Sequence, residues 1–361
     1  MYTTKKILQN ETEFDDHSDY RKFAPKIMAG VPLSEHPDWE EKSRIKNTYG
    51  KGSLLMLCYY LGIQVLSFFL ITAISYGVKA YYESRGIELT NTIWNAITSH
   101  SVINIAINLL LFLIMNTGIF FIGCKVCKIK KSRLFNTRNV NAKTMFFYVF
   151  FAFGLQFATG YIAVLISNIM GSFGIENYSP DFSTTTTPAL ILTLLYTCFI
   201  APITEELLYR GFVLRAFSIV SQRTGIFVSA LFFALSHQNI SQAVLAFPMG
   251  LFFGYIAVKH GSVIPSIIVH FFINTVTTLL YDVLQKGVTA DTFNMIYTVY
   301  FLTVAVLAII SAFFVFSKKD YPQKSKLQRK RNRLYLANFT FWIFITANIV
   351  EIILGIIGVN R

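Results

Sequence analysis

The sequence predicts an all-α fold, a polytopic bundle of about eight or nine transmembrane helices. Of the 361 residues, 54% are hydrophobic and only 14% are charged, whereas a soluble protein carries about 25% charged residues. The apolar residues form long uncharged runs, most of them about 20 residues long, which is the length that crosses a bilayer as a helix. Basic residues collect between the runs, as in the loops of multi-pass membrane proteins. We therefore expect the lipid bilayer to be the protein's main environment.

The charged segments between the runs differ in sign. Lys125 to Lys143 holds seven Lys or Arg and no acid, and Lys318 to Arg333 holds eight basic residues and one Asp. Gly171 to Thr187 holds two acids and no base. Because cytoplasmic loops are enriched in Lys and Arg, we expect a cell-membrane protein with its N-terminus and both basic segments in the cytoplasm. The same pattern explains the net charge of +13, so we expect no nucleic-acid partner.

The chain begins with a polar segment of mixed charge, residues 1–52. It contains Pro25, Pro32 and Pro37, shows no sustained periodicity, and does not resemble a cleavable signal peptide. We interpret this segment as a cytoplasmic tail, partly disordered, that ends in basic residues beside the first apolar run.

Nine apolar runs follow and divide the rest of the chain into three parts. Transmembrane helices are predicted in 53–170, a helical core in 188–285, and further transmembrane helices with a basic cytoplasmic loop in 290–361. The runs cover 53–78, 101–123, 144–170, 188–209, 225–238, 243–258, 262–283, 293–316 and 335–357. They give nine spans, or eight if the last run, which Glu351 interrupts, lies at the membrane interface.

The four cysteines predict neither a disulfide framework nor a metal site. Cys58 and Cys198 lie inside apolar runs, where cysteine acts as a small core residue. Cys124 and Cys127 form a single CxxC, and a zinc or redox site would need a second ligand pair or a thioredoxin-like context. We expect all four to be packing residues.

The main functional signal is a charged cluster at the end of the fourth run, in Ala201 to Arg210. A charge at the centre of a membrane helix costs about 2.5–3.5 kcal/mol, so such residues normally face a bundle interior or a wet cavity. Glu206 and Arg210 stand four residues apart, the spacing of an ion pair. Glu205 is rotated about 100° away and has no basic residue at that spacing. The pattern predicts that Arg210 holds Glu206 and leaves Glu205 free for chemistry.

Two histidines are also expected inside the membrane. His237 ends the fifth run, four residues after Phe233, and His270 lies in the seventh run, four residues before Asn274. Residues four apart share a helix face. Because each buried polar group must be compensated, we expect these groups to meet the glutamates in one cavity.

A shared cavity requires these groups to lie at the same depth. Suppose that the fourth helix ended at the glutamates and that the fifth helix crossed the whole membrane. The far end of the fifth helix would then lie most of a bilayer, roughly 20–30 Å, from the glutamates. We therefore predict that the fourth helix continues to about Val220, which places Glu205 inside the membrane. The fifth run is short enough for His237 to stop at mid-depth beside a polar cavity.

This set of groups is suited to the hydrolysis of an acyl bond, foremost a peptide bond. A carboxylate beside a histidine can activate water as a general base, and a neighbouring histidine and asparagine can donate to a developing oxyanion. Glu205, His237 and His270 could instead bind zinc with one open position for water. The HExxH helix of soluble zinc proteases is absent, and the sequence does not separate the two mechanisms.

Three motifs occur in order on successive predicted helices: Glu205-Glu206-x-x-x-Arg210, Phe233-x-x-x-His237 and His270-x-x-x-Asn274. Together they resemble the motif set of the CAAX-protease and bacteriocin-processing family, the Abi family of intramembrane endopeptidases. The resemblance covers roughly residues 188–280 and implies that 188–285 is the catalytic core. The flanking parts of the chain carry no motif of this family.

The resemblance implies a role for each motif residue. Glu205 would be the catalytic base, and His237 would help to hold and polarise the water. His270 and Asn274 would stabilise the oxyanion, while Arg210 would brace Glu206. Family members have been described both as metalloproteases and as glutamate-dependent enzymes, so zinc stays an open cofactor.

Two other functions are compatible with this pattern. The chain could be a non-catalytic membrane protein of the same fold, an immunity or scaffold factor, although an inactive relative would be expected to have lost Glu205, His237 or His270. It could also be a transporter with a proton or cation site, which related halves with matching broken helices would support. The expected substrate is a peptide or a membrane protein, and the sequence fixes neither its identity nor the oligomeric state.

Overall fold

The computed structural model describes residues 37–87, 101–137, 140–175, 187–316 and 333–356, and these ranges contain helices and no strand. Eight of the helices are long and apolar enough to cross a membrane, and a ninth is shorter. The prediction of an all-α polytopic bundle is therefore confirmed. The helices are α1 (Pro37–Ser84), α2 (Ser101–Val126), α3 (Ala142–Ser172), α4 (Thr187–Phe217), α5 (Gln222–Leu235), α6 (Ile240–His260), α7 (Ile264–Gly287), α8 (Ala290–Phe316) and α9 (Phe339–Ile356).

The helix α4 continues past the charged cluster, as the depth argument requires, and ends at Phe217 rather than at Val220. It is irregular, because π-helical segments at Leu195–Ile200 and Leu207–Val213 enclose a short α-helical segment, Ala201–Glu206. Single π-helical turns inside α-helices are often found at functional sites. Here they occur on both sides of the turn that carries the two glutamates.

The short helix is α5, which has 14 residues and is therefore about 21 Å long. It starts just after the end of α4, and Glu205 lies about 18 Å back along α4 from that end. The far end of α5 thus reaches the depth of Glu205, as predicted. The chain then reverses direction through Gln238, which has a positive φ of 53°. The Asn239 side chain caps α6 by accepting a hydrogen bond from the backbone N–H of Gln242.

Two glycines bring α5 and α6 together. A Cβ on Gly250 would lie 3.0 Å from the Ala230 Cα on α5, and a Cβ on Gly254 would lie 3.1 Å from the Ile226 side chain. The Gly250-x-x-x-Gly254 pair therefore packs α6 against α5 inside the bundle. This close approach allows the backbone of α6 to contact α4 side chains.

The N-terminal helix differs from the prediction. Residues 37–52, predicted as the end of a tail, are the first turns of α1, and residues 1–36 lie outside the described ranges. The Tyr49 ring is buried and stacks on Phe217 at 5.2 Å, with Tyr335 against its edge. A polar sequence becomes helical here because its apolar face is buried against the end of α4.

The last helix, α9, packs beside α1. Glu351, which interrupts its apolar sequence, accepts a hydrogen bond from Tyr60 of α1 at 2.8 Å. This contact gives the carboxylate a polar partner within the apolar helix. By length and composition, α9 is one of the eight helices able to span a membrane.

The cysteines follow the prediction with one exception. Cys124, Cys127 and Cys198 are buried, whereas Cys58 is exposed on α1, so it is not a core residue. Burial raises the pKa of the Cys127 thiol from its ordinary value of 9.0 to about 11. A raised pKa means less thiolate at neutral pH, which does not favour a reactive CxxC.

Candidate active site

Glu206 is the centre of the polar cluster. Its Oε1 accepts from Arg210 Nη1 at 2.6 Å and lies 3.1 Å from His270 Nδ1, and both Glu206 and Arg210 are completely buried. The i,i+4 ion pair expected from the sequence is therefore present. The sequence also predicted that His270 on α7 would meet the glutamates, but not that Glu206 would be its hydrogen-bond partner. Because a carboxylate only accepts hydrogen bonds, Glu206 places a proton on His270 Nδ1.

Aromatic rings enclose this ion pair. The Arg210 guanidinium lies 4.6 Å from the ring centroid of Phe233 and 5.2 Å from that of Phe253. The Phe253 ring also stacks on His270 at 4.9 Å. Arg210 Nη2 donates to the Gly250 carbonyl at 3.4 Å. The Phe233 and Phe253 rings attract the guanidinium by cation–π interaction, and their packing holds Arg210 and its partner Glu206 in fixed positions.

Glu205 has different surroundings from its neighbour. Its side chain is 20% exposed, and its Oε2 lies 3.8 Å from His270 Nε2, beyond hydrogen-bonding distance. The two nitrogens of His270 therefore face the two glutamates, one each. The sequence predicted that Glu205 has no basic partner on its own helix. Its nearest basic side chain in the structure is His270, which comes from α7.

His237 is held at the end of α5. Its Nδ1 lies 2.8 Å from the Phe233 carbonyl, which can only accept, so Nδ1 carries the proton and Nε2 offers a lone pair. The Phe233 ring stands edge-on to His237 at 4.9 Å and to His270 at 6.1 Å. The Phe233 ring thus lies beside both histidines. In the described ranges, no ion pair or hydrogen bond joins His237 to Glu205, and their sharing of one water stays a prediction.

Asn274 lies one turn beyond His270 on α7. Its Nδ2 donates to the backbone carbonyl of Thr197 on α4 at 2.9 Å. The amide is therefore anchored to the same helix that carries the glutamates. Both motif residues of α7 contact α4, and this pairing sets their distance from Glu205.

Sequence reasoning missed several residues beside Glu205. Asn116 of α2 is buried and donates to the Thr204 hydroxyl at 2.9 Å, which fixes the residue before Glu205. An asparagine inside the second apolar run was the signal that could have found it. Three tyrosines also lie close enough to Glu205 to interact with it electrostatically: Tyr59, Tyr196 and Tyr209.

The described residues do not assemble a metal site of three protein ligands. A catalytic zinc typically needs three such ligands and one open position, and no group of three His, Cys, Asp or Glu in the described ranges is arranged to hold one ion. Glu205 and His270 are neighbours, but His237 does not complete a set with them. We therefore derive no step through a metal, and zinc as a cofactor stays a prediction.

Comparison with known proteins agrees with this site. Residues 187–276 match the family model described as type II CAAX prenyl endopeptidase Rce1-like. No curated protein and no solved structure matches the chain. The matched range begins with α4, ends within α7, and contains all three motifs. Residues 187–276 are therefore similar to the Rce1-like domain of type II CAAX prenyl endopeptidases, which is consistent with the CAAX-protease resemblance of the sequence.

Proposed function

We propose that the protein is an intramembrane endopeptidase that hydrolyses a peptide bond of a peptide or membrane-associated protein, with Glu205 as the general base. The observation that carries this proposal is the difference between the two adjacent carboxylates. Glu206 is buried and paired with Arg210 and His270, whereas Glu205 is partly exposed and has no hydrogen-bonded partner in the described ranges. A carboxylate that must take a proton from water needs this freedom.

In the proposed first step, Glu205 removes a proton from a water molecule as the water oxygen attacks the carbonyl carbon of the scissile peptide. His237 Nε2 accepts from the second proton of that water and orients it. The carbonyl oxygen becomes an oxyanion. In this proposal His270 donates Nδ1–H to Glu206 and Nε2–H to the oxyanion, and the Asn274 amide offers a second donor.

In the second step, the tetrahedral intermediate collapses and the C–N bond breaks. The proton taken by Glu205 passes to the leaving amine, which regenerates the carboxylate. Glu205 and the oxyanion are never charged together, because Glu205 gains its proton as the oxyanion forms. The negative charge near His270 Nε2 thus moves from Glu205 to the oxyanion, and a fixed hydrogen-bond donor can stabilise it at both positions.

The second glutamate has a positioning role in this proposal. Glu206 fixes the tautomer and the ring orientation of His270, and Arg210 neutralises the charge of Glu206. We also propose that the enzyme lies in the cell membrane with its N-terminus in the cytoplasm, because the basic segments at 125–143 and 318–333 adjoin apolar helices in the sequence.

The test is peptide cleavage by the purified full chain in detergent. Wild type and Glu205→Gln are incubated with a prenylated CAAX peptide, its unprenylated form and unrelated membrane peptides, with and without a chelator. We expect cleavage by wild type that persists with chelator and is lost in Glu205→Gln. Cleavage that the chelator abolishes and zinc restores would overturn the metal-free mechanism.

A further inference from the structure

The Asn274 amide uses an unusual acceptor. Its partner, the Thr197 carbonyl, lies inside the continuous helix α4, 2.9 Å from Nδ2. A carbonyl at such a place normally accepts from the N–H four residues later in an α-helix, or five residues later in a π-helix. A side chain that donates to such a carbonyl must compete with a backbone N–H of the helix, unless the helix leaves the carbonyl without a donor.

Two local features leave this carbonyl free. The residue four positions later is Ala201, and its N–H bonds to Tyr196 instead, because Leu195–Ile200 are π-helical. The residue five positions later is Pro202, which has no N–H. Neither of the two residues that would ordinarily reach Thr197 donates to it. The π-helical hydrogen bonding and the proline together thus remove the backbone competitors of Asn274.

We propose that Pro202 is a positioning residue for the reaction: it reserves the Thr197 carbonyl for Asn274 and thereby orients the amide that faces the substrate. The carbonyl can only accept, so it selects the amide orientation in which Nδ2 points to α4. One N–H of Nδ2 is bound there, and the other is left for the oxyanion. The catalytic part of this inference rests on the proposed function, whereas the hydrogen-bond part does not.

The position of Pro202 in α4 separates two possible roles for this proline. Pro202 lies three residues before Glu205 and has no polar side chain of its own, so its effect on catalysis must pass through the backbone. A proline required only for the shape of α4 would affect stability and activity whether or not Asn274 were present. A proline that acts through Asn274 would lose its effect when Asn274 is removed.

The experiment is a double-mutant cycle on the full chain with Pro202→Ala and Asn274→Ala. Alanine restores an N–H and has the highest helix propensity, so the variant should fold. We expect Pro202→Ala to lower kcat about 10-fold with KM changed less than about 2-fold, since an interaction made mainly in the transition state is weakened. In the Asn274→Ala background, we expect Pro202→Ala to change kcat less than about 2-fold.

Thermal melting of the same four proteins tests the hydrogen bond without any activity. Asn274→Ala should lower the melting temperature in the wild-type background and have little effect with Pro202→Ala, where the alanine N–H can satisfy the carbonyl. Pro248→Ala, inside α6, is the matched control and should show no coupling to Asn274→Ala. Additive effects on melting temperature or on kcat would overturn the inference. A wild type that melts as expected but cleaves nothing would instead contradict the proposed function.

Discussion

Replacement of Glu206 by glutamine should destabilise the protein, whereas the same replacement at Glu205 should not. Glu206 is completely buried, and one of its oxygens holds both Arg210, at 2.6 Å, and His270, at 3.1 Å. Loss of one member of a buried ion pair costs about 3–5 kcal/mol, because the other charge is left uncompensated. The remaining partners of Arg210 are aromatic rings and the Gly250 carbonyl at 3.4 Å, which do not neutralise a charge.

For a chain of this size, this cost corresponds to a fall in melting temperature of about 4–7 °C. The assay is thermal melting in detergent beside peptide cleavage. Glu206→Gln should lose both stability and activity, and Arg210→Gln should resemble it. The double change Glu206→Gln with Arg210→Gln should recover part of the stability, because the buried guanidinium is then removed together with its carboxylate partner.

Glu205→Gln is the matched control in this series. Its side chain is 20% exposed and lies 3.8 Å from the nearest His270 nitrogen, so the change should alter stability by less than about 1 kcal/mol. Activity should be lost, since glutamine cannot act as a base. The reasoning is refuted if Glu205→Gln proves the least stable of these variants, or if Glu206→Gln melts like wild type.

Three further predictions use other parts of the structure. In intact cells, an impermeant thiol reagent should label a cysteine placed at Ser172 and not one placed at Ser132; the reverse would overturn the orientation. Gly250→Val should lower the melting temperature and the activity, because a Cβ there would lie 3.0 Å from the α5 backbone. Gly160→Val, where a Cβ would have no atom within 4 Å, should change the melting temperature and the activity only slightly. Equal losses in the two variants would refute the proposed packing of α6 on α5. Alkylation of Cys127 should accelerate only as pH approaches its raised pKa of about 11, and fast labelling at pH 7 would contradict its burial.

Local spacing was sufficient to predict part of the site. The i,i+4 rule predicted the pairing of Glu206 with Arg210, and run lengths predicted that α5 would stop near the depth of Glu205. These inferences concern one helix at a time, or the simple geometry of helices in a bilayer. They succeed because a helix repeats regularly and a bilayer has a fixed thickness.

Contacts between helices could not be predicted in the same way. The bond from His270 to Glu206 depends on the rotation of α7 against α4, and apolar sequence does not specify that rotation. The anchoring of Asn274 by Thr197 depends on a change from α-helical to π-helical hydrogen bonding, which local propensity does not reveal. The start of α1 at Pro37 was missed for a related reason, because polar residues become helical when tertiary packing buries one face.

The most direct test of the central claim is the rate of peptide cleavage by wild type and by Glu205→Gln, measured on samples with the same melting temperature. General base catalysis contributes about 10²–10⁴-fold, so we predict that the variant is slower by at least about 100-fold. Equal melting temperatures would show that the loss is chemical rather than structural. Full activity in Glu205→Gln would contradict the assignment of Glu205 as the base.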